Sequence, residues 1–227
     1  MVTWSSEQLT EPMVVKCRLM GEGFAGRRAP QLDALLAILL AQRVSAQPEG
    51  DPRDWPLPDI PIAKSACGRF FLCSSGEFEV EEHDEFIMGR RAPWIEYARF
   101  GDASITRVNI SVAEDKSYFA KKELAIPKDD LVTWYALGHI ESVRAILSGC
   151  HYLGKYRGSG KGRVREWEVS PKKTWGEGFP IMQCGLPLRP LPLETPGLDM
   201  GNSPQGYSTI APPYWLKERE ALVAVPA

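Results

Sequence analysis

The stretch Met13–Met20, MVVKCRLM, decides how the rest of the chain is read. Val15, Cys17 and Leu19 alternate with Lys16 and Arg18, and in a strand a period of two sends alternate side chains to opposite faces. One face is therefore expected to be buried, and Lys16 and Arg18 to stand side by side on the open face of a sheet. The period then changes. After a loop with Gly21, Gly23 and Gly26 that ends in Arg27–Arg28, the segment QLDALLAILLAQR carries Leu32, Leu35, Leu36, Leu39 and Leu40 at helical spacing. Pro30 suits the first turn of that helix, and Arg43 suits the negative end of its dipole.

Further along, residues 47–63 are rich in proline and acid and predict a loop. Gly68–Cys73 and Glu77–Val80 are expected as short strands, and Gly89–Trp94, GRRAPW, as a basic loop carrying Arg90, Arg91 and an aromatic. Ile105–Val112 alternates as a strand does, and Lys121–Ile126 suits a short strand or the end of a hairpin. Asp129 and Asp130 are N-cap candidates for Leu131–Leu147, whose Leu131, Trp134, Tyr135, Ile140, Val143 and Leu147 fit one helix, or two short ones broken at Gly138. Gly149 falls where a C-terminal cap belongs. A glycine-rich basic stretch follows, then Val164–Val169 as a strand.

From Gly178 onward the chain is dense in proline and glycine, and is expected to wrap the domain as extended segments rather than build a second core. Without insertions the order is β-α-β-β-α-β. That is the α+β, ferredoxin-like arrangement, in which two helices cover one face of an antiparallel sheet and the other face stays open.

With 227 residues, 44% hydrophobic and 25% charged, the chain can bury a full core without disulfides or metals. One domain with elaborations is the expectation. The five cysteines are scattered and include no Cys-x-x-Cys pair, so neither a zinc site nor a disulfide framework is indicated. No basic n-region with an apolar h-region opens the sequence, and the longest apolar run, around Leu35–Ala41, is too short to cross a bilayer. A cytoplasmic protein without membrane contact is expected.

The formal net charge is only −2, but the charge is segregated. Six acids and no cation lie between Glu77 and Glu85, and five cations and no acid lie between His151 and Arg165. Opposite local fields on a nearly neutral chain imply two faces with different partners. The basic run, Gly154–Arg165, reads GKYRGSGKGRVR. It is not a nucleotide-binding P-loop, because Gly162 rather than Ser or Thr follows Lys161, and because it runs from a helix into a strand. Gly154, Gly158, Gly160 and Gly162 let the backbone approach a phosphate closely. Lys155, Arg157, Lys161 and Arg163 supply charge, Ser159 a hydroxyl, and Tyr156 a ring able to stack on an unpaired base.

The run LGKYRGSGKGRVREWEV, the QLDALLA helix after a strand, and the late PLRPLP and PPYW segments together resemble the CRISPR-associated RAMP proteins. They are most similar to the type IV effector subunit that caps the 5′ end of the guide RNA. The resemblance spans about Met13 to Leu216. It implies a single modified ferredoxin-like domain with a thumb-like insertion over approximately 47–126, beside the extended wrap expected over 178–227 from its composition. It also implies binding of the 5′ handle of a crRNA, contacts with the backbone and large subunits of an effector complex, and only indirect contact with target DNA. The implied phosphate contacts are Lys155, Arg157, Lys161 and Arg163, with Arg27–Arg28 and Arg90–Arg91 as further candidates and Lys16 and Arg18 as accomplices on the sheet.

Some relatives cleave precursor RNA without metal, using a His or Tyr base. Here His139 lies in a predicted helix and His83 in the acidic run, which leaves His151 and Tyr152, just before the glycine-rich loop, as the one pair placed for such chemistry. No carboxylate pair or His/Cys cluster has metal-ligand spacing, and Ser65 and Ser159 have no triad context. Binding without catalysis, cofactor or metal is the expectation. A metal-independent endoribonuclease is the alternative, and an adaptor docking through residues 77–85 is a third.

Overall fold

The computed structural model describes residues 11–21, 23–25, 29–42, 59–90, 118–176, 178–200 and 202–226. Arg27, Arg28, Arg43, Arg91 and the expected strand Ile105–Val112 lie outside the described residues. Arg90 ends a strand, but its side chain is not among those described.

Strand β1, Glu11–Leu19, is the centre of the molecule. Met13, Val15, Cys17 and Leu19 are buried on one face, while Lys16 and Arg18 lie on the other, as the alternation requires. On one side β1 pairs antiparallel with β7, Leu131–Gly138, and on the other with β8, Val164–Pro171. Beyond β7, residues 71–77 continue the sheet through antiparallel bridges from Cys73 to Ala136 and from Glu77 to Thr133. The spatial order is therefore 71–77, β7, β1, β8.

Helix α1, Leu32–Ala41, follows β1 after the short strands β2, Phe24–Ala25, and β3, Ala29–Gln31. Pro30 lies in β3, just before the helix rather than in its first turn. Helix α2, Ile140–Leu147, lies between β7 and β8. Leu32, Leu36, Val143 and Leu147 from the helices, with Val15, Cys17, Val132 and Trp134 from the strands, form one apolar cluster. Both helices therefore cover the same face of the sheet. The class is mixed α and β with antiparallel pairing, and α1 and α2 are the α-helices among the described residues.

The segment expected as a helix over Leu131–Leu147 is a strand in its first half. Leu131, Trp134 and Tyr135 do fall at helical spacing, but Val132, Trp134 and Ala136 are also every second residue, and all three are buried. Tertiary pairing on both edges settles the ambiguity in favour of β. Gly138 ends the strand against the segment around Pro61 and Ile62, where a Cβ would stand 2.2 Å from the Pro61 carbonyl oxygen. Asp129 and Asp130 do not cap a helix. Both take positive φ (55° and 56°) in the tight turn before β7, a conformation that short polar side chains tolerate. The N-cap of α2 is His139, whose Nδ1 accepts from the Ser142 backbone N–H at 3.3 Å.

Strand β4, Ser75–Gly76, pairs with β3. A long hairpin then leaves the sheet: β5, Val80–Arg90, pairs with β6, Tyr118–Pro127, and β2 lies along the other edge of β6. Most of the acidic run lies on β5 with its side chains exposed, and Glu79 and Glu85 reach Lys128 and Lys121, each at 3.0 Å.

The C-terminal segment corrects a second expectation. It forms short strands β9–β13, covering Met182–Gln183, Leu186–Pro187, Leu191–Pro192, Gln205–Thr209 and Glu220–Ala224. Ile181, Met182, Leu191, Met200 and Ala224 close over Phe70 as a second, smaller apolar cluster. The tail is also locked to α1 by a buried ion pair. Asp33 on α1 and Arg189 are both fully buried, and each guanidinium Nη donates to Asp33 Oδ2 at 3.2 Å. Arg189 also donates to the Phe71 and Ile210 carbonyls, and the Tyr214 hydroxyl donates to Asp33 at 2.7 Å. Burial and the Asp33 carboxylate hold the Tyr214 phenol well above its ordinary range, so it remains a donor.

Candidate nucleic-acid interface

Helix α2 ends at Leu147, and the chain returns to the sheet through the glycine-rich loop. The base of this loop is closed like a zip. Tyr152 bridges to Arg163, the Leu153 N–H donates to the Gly162 carbonyl at 2.7 Å, and the Val164 N–H donates to the His151 carbonyl at 2.9 Å. The Gly162 N–H donates in turn to the Gly23 carbonyl at 2.8 Å, tying this loop to the one after β1. Gly162 is required there: φ is +71°, and a Cβ would lie 1.9 Å from the Leu153 carbonyl oxygen. Gly158, by contrast, faces open space.

The tip is a short 3-10 turn, Arg157–Ser159, between two left-handed residues, Tyr156 and Gly160. For tyrosine that conformation is strained by roughly 1–2 kcal/mol. The ring contact that offsets it comes from the hairpin. Tyr156 packs edge-on to Phe86 of β5 with centroids 5.4 Å apart, and the Lys161 ammonium sits 5.7 Å above the same ring. Tyr156, expected to be free to stack on a base, already has an aromatic partner and is half-buried. Lys161 is similarly held against the protein.

Lys155, Arg157, Arg163 and Arg165 are exposed and form no ion pair with any described residue. Beside them His151, Tyr152, Arg163 and Arg165, with Met20 and Val164, line an open groove of about 490 Å³. The result is a hydrogen-bonded turn whose exposed cations have no carboxylate partner among the described residues, with Arg163 and Arg165 lining the groove. Such a surface attracts polyanions, and its fixed backbone lowers the entropy lost when a phosphate is held.

The sheet cations differ. The β1–β8 register puts Lys16 opposite Glu168 and Arg18 opposite Glu166. The pairs close to 3.8 and 3.4 Å, so the two cations are largely neutralised at home. The structure therefore gathers Gly154–Arg163 into one closed loop and leaves Lys16 and Arg18 as a separate, paired patch.

Three features escaped the sequence: Phe86 beneath the loop, the carboxylates opposite Lys16 and Arg18, and an aromatic cluster on the open face. In that cluster Tyr135 of β7 meets Phe179 at 6.0 Å, Phe179 meets Trp175 at 6.1 Å, and the Lys172 ammonium lies 4.9 Å over the Tyr135 ring. The lysine pair next to Trp175 was the available signal. Nearby, Glu77, Glu79, Lys128, Asp129, Thr133 and Tyr135 are among the residues around a second open depression of about 540 Å³. Burial raises the Glu77 carboxyl above its ordinary range, partly opposed by Lys172.

Among the described residues no group of His, Cys, Asp and Glu could hold a metal ion, and no helix is long and apolar enough to cross a membrane. Burial pushes the Cys17, Cys73 and Cys150 thiols up, away from the reactive thiolate. No known protein-family model matches the chain, and no curated protein matches it in sequence.

Proposed function

We propose that this protein is a non-catalytic RNA-binding subunit of a type IV CRISPR effector ribonucleoprotein, in which the loop Gly154–Arg163 holds phosphates of the 5′ handle of the crRNA. The observation that carries the reading is the set of exposed cations Lys155, Arg157 and Arg163, which have no ion-pair partner among the described residues, on a loop whose backbone is hydrogen-bonded at both ends. Free charge on a fixed backbone is what phosphate recognition uses.

The topology supports the same reading. The chain order β1, α1, 71–77, β7, α2, β8 and the spatial order 71–77, β7, β1, β8 fit a ferredoxin-like sheet with both helices on one face. In this reading the β5–β6 hairpin, inserted between residues 71–77 and β7, serves as the thumb-like insertion, and the backbone and large subunits of the complex are the expected protein neighbours. Its exposed acids suit a basic surface on such a neighbour rather than RNA.

The test is RNA copurification with a Lys155→Glu, Arg157→Glu, Arg163→Glu variant. RNA is expected to be lost while the thermal unfolding curve stays in place, and RNA recovered at the wild-type level would refute the reading. In wild type, log affinity should fall linearly with log salt, with a slope of about −0.7 per phosphate contacted. His151 and Tyr152 line the groove, which makes cleavage a measurable alternative. Labelled repeat RNA in chelator is expected to stay intact. A product that disappears in His151→Ala would establish metal-independent cleavage instead.

A further inference from the structure

At the far end of β8 from the glycine-rich loop, the open sheet face carries the aromatic cluster of Tyr135, Phe179 and Trp175. Eight strand residues at about 3.3 Å each separate the two, roughly 25 Å. Trp175 is 54% exposed although it is the bulkiest side chain there, and it is not loose: Phe179 stacks beside it at 6.1 Å with the planes inclined by 38°. Phe179 in turn rests on Tyr135, whose own face is taken by Lys172. The exposed ring is thus supported from below and flanked by Lys172 and Lys173.

We propose that Trp175 is a stacking platform for an unpaired nucleobase, with the exposed Lys173 holding an adjoining phosphate while Lys172 stays over Tyr135 and braces the platform. This inference rests on the RNA-binding reading above and adds a second contact on the same strand of RNA. A supported aromatic face beside cations is the recurring solution for single strands, because every base has a π-face and every linkage a negative charge. A purely apolar protein partner would leave the exposed Lys173 unused, whereas a single strand uses both the ring and the charge. Between the platform and the loop lie Lys16 and Arg18 with their carboxylate partners, so the strand is gripped at its two ends.

Labelled oligouridylates of about 4 and about 16 nucleotides, the range that single-strand-binding domains span, separate the two contacts. In the full chain, Trp175→Ala is expected to weaken the long probe by roughly 5- to 100-fold and to leave the short one, held by the loop, unchanged. Trp175→Phe should retain most of the affinity. An exposed side chain can be removed without unfolding the protein, and an unshifted thermal melt verifies this for each variant. Unchanged affinity of the long probe in Trp175→Ala overturns the platform and points to a protein partner for this ring. If the loop triple variant binds both probes normally, the RNA-binding reading itself fails. If it loses both while Trp175→Ala is silent, only the platform falls.

Discussion

On the open sheet face Lys16 lies 3.8 Å from Glu168 and Arg18 lies 3.4 Å from Glu166, whereas Lys155, Arg157 and Arg163 on the glycine-rich loop have no described carboxylate within ion-pairing distance. The two regions carry the same residue types and are joined through β8. The difference lies in what the strand register sets opposite them. A cation with a carboxylate already in place must give up that partner before it can bind a phosphate, and a cation in water need not. Arg189 supplies a third setting, in which the charge is buried and serves the fold alone.

The largest expected effect comes from this third setting. Arg189→Met leaves Asp33 charged and unpaired in the core, and should lower stability by about 3–5 kcal/mol in denaturant titrations. Adding Asp33→Leu should restore most of the loss, since a well-packed apolar pair is often as stable as a buried ion pair. If the double variant were as unstable as the single, the ion pair would not be the reason for the loss. Gly162→Ala comes next. It forces a Cβ onto the Leu153 carbonyl at positive φ, and should cost at least about 1 kcal/mol and weaken RNA binding together with stability. A neutral result would show that the loop base is less rigid than its hydrogen bonds imply.

Smaller effects probe the paired cations directly. Glu166→Gln with Glu168→Gln frees Lys16 and Arg18, and should raise RNA affinity several-fold at low salt, with the gain disappearing as salt screens it. No gain would mean that RNA does not pass over this face. The smallest change is expected from Lys16→Ala with Arg18→Ala, because exposed pairs contribute about 0–1 kcal/mol. Both RNA affinity and melting temperature should stay near wild type, and a large drop in affinity would erase the distinction between the two regions.

Much of this was legible in the residues themselves. The alternation of Met13–Met20 specified β1 and which face would carry Lys16 and Arg18, and the leucines of Leu32–Leu40 specified α1. What sequence could not supply was partnership across the fold. Glu166 and Glu168 become counterions only once β8 is set antiparallel to β1 in one register. Phe86 and Tyr156 meet because a hairpin folds back under the loop, a contact no local pattern encodes. Leu131–Gly138 fits helix and strand alike because Trp134 satisfies both periods, and only pairing on both edges decides between them. Nothing in the local pattern of the proline-rich tail marks Arg189 as buried. Its single forewarning was Asp33, an acid placed inside the apolar stripe of α1 and therefore in need of a buried partner.

That ion pair also sets an order of events during synthesis. Arg189 and Tyr214, which neutralise and hydrogen-bond Asp33, leave the ribosome more than a hundred and fifty residues after it. β1 likewise waits for β8, its partner on one edge. Over that interval a nascent chain carries a core whose buried acid has no ion-pair partner. Contacts so distant in sequence favour slow closure and make the tail the step that commits the fold.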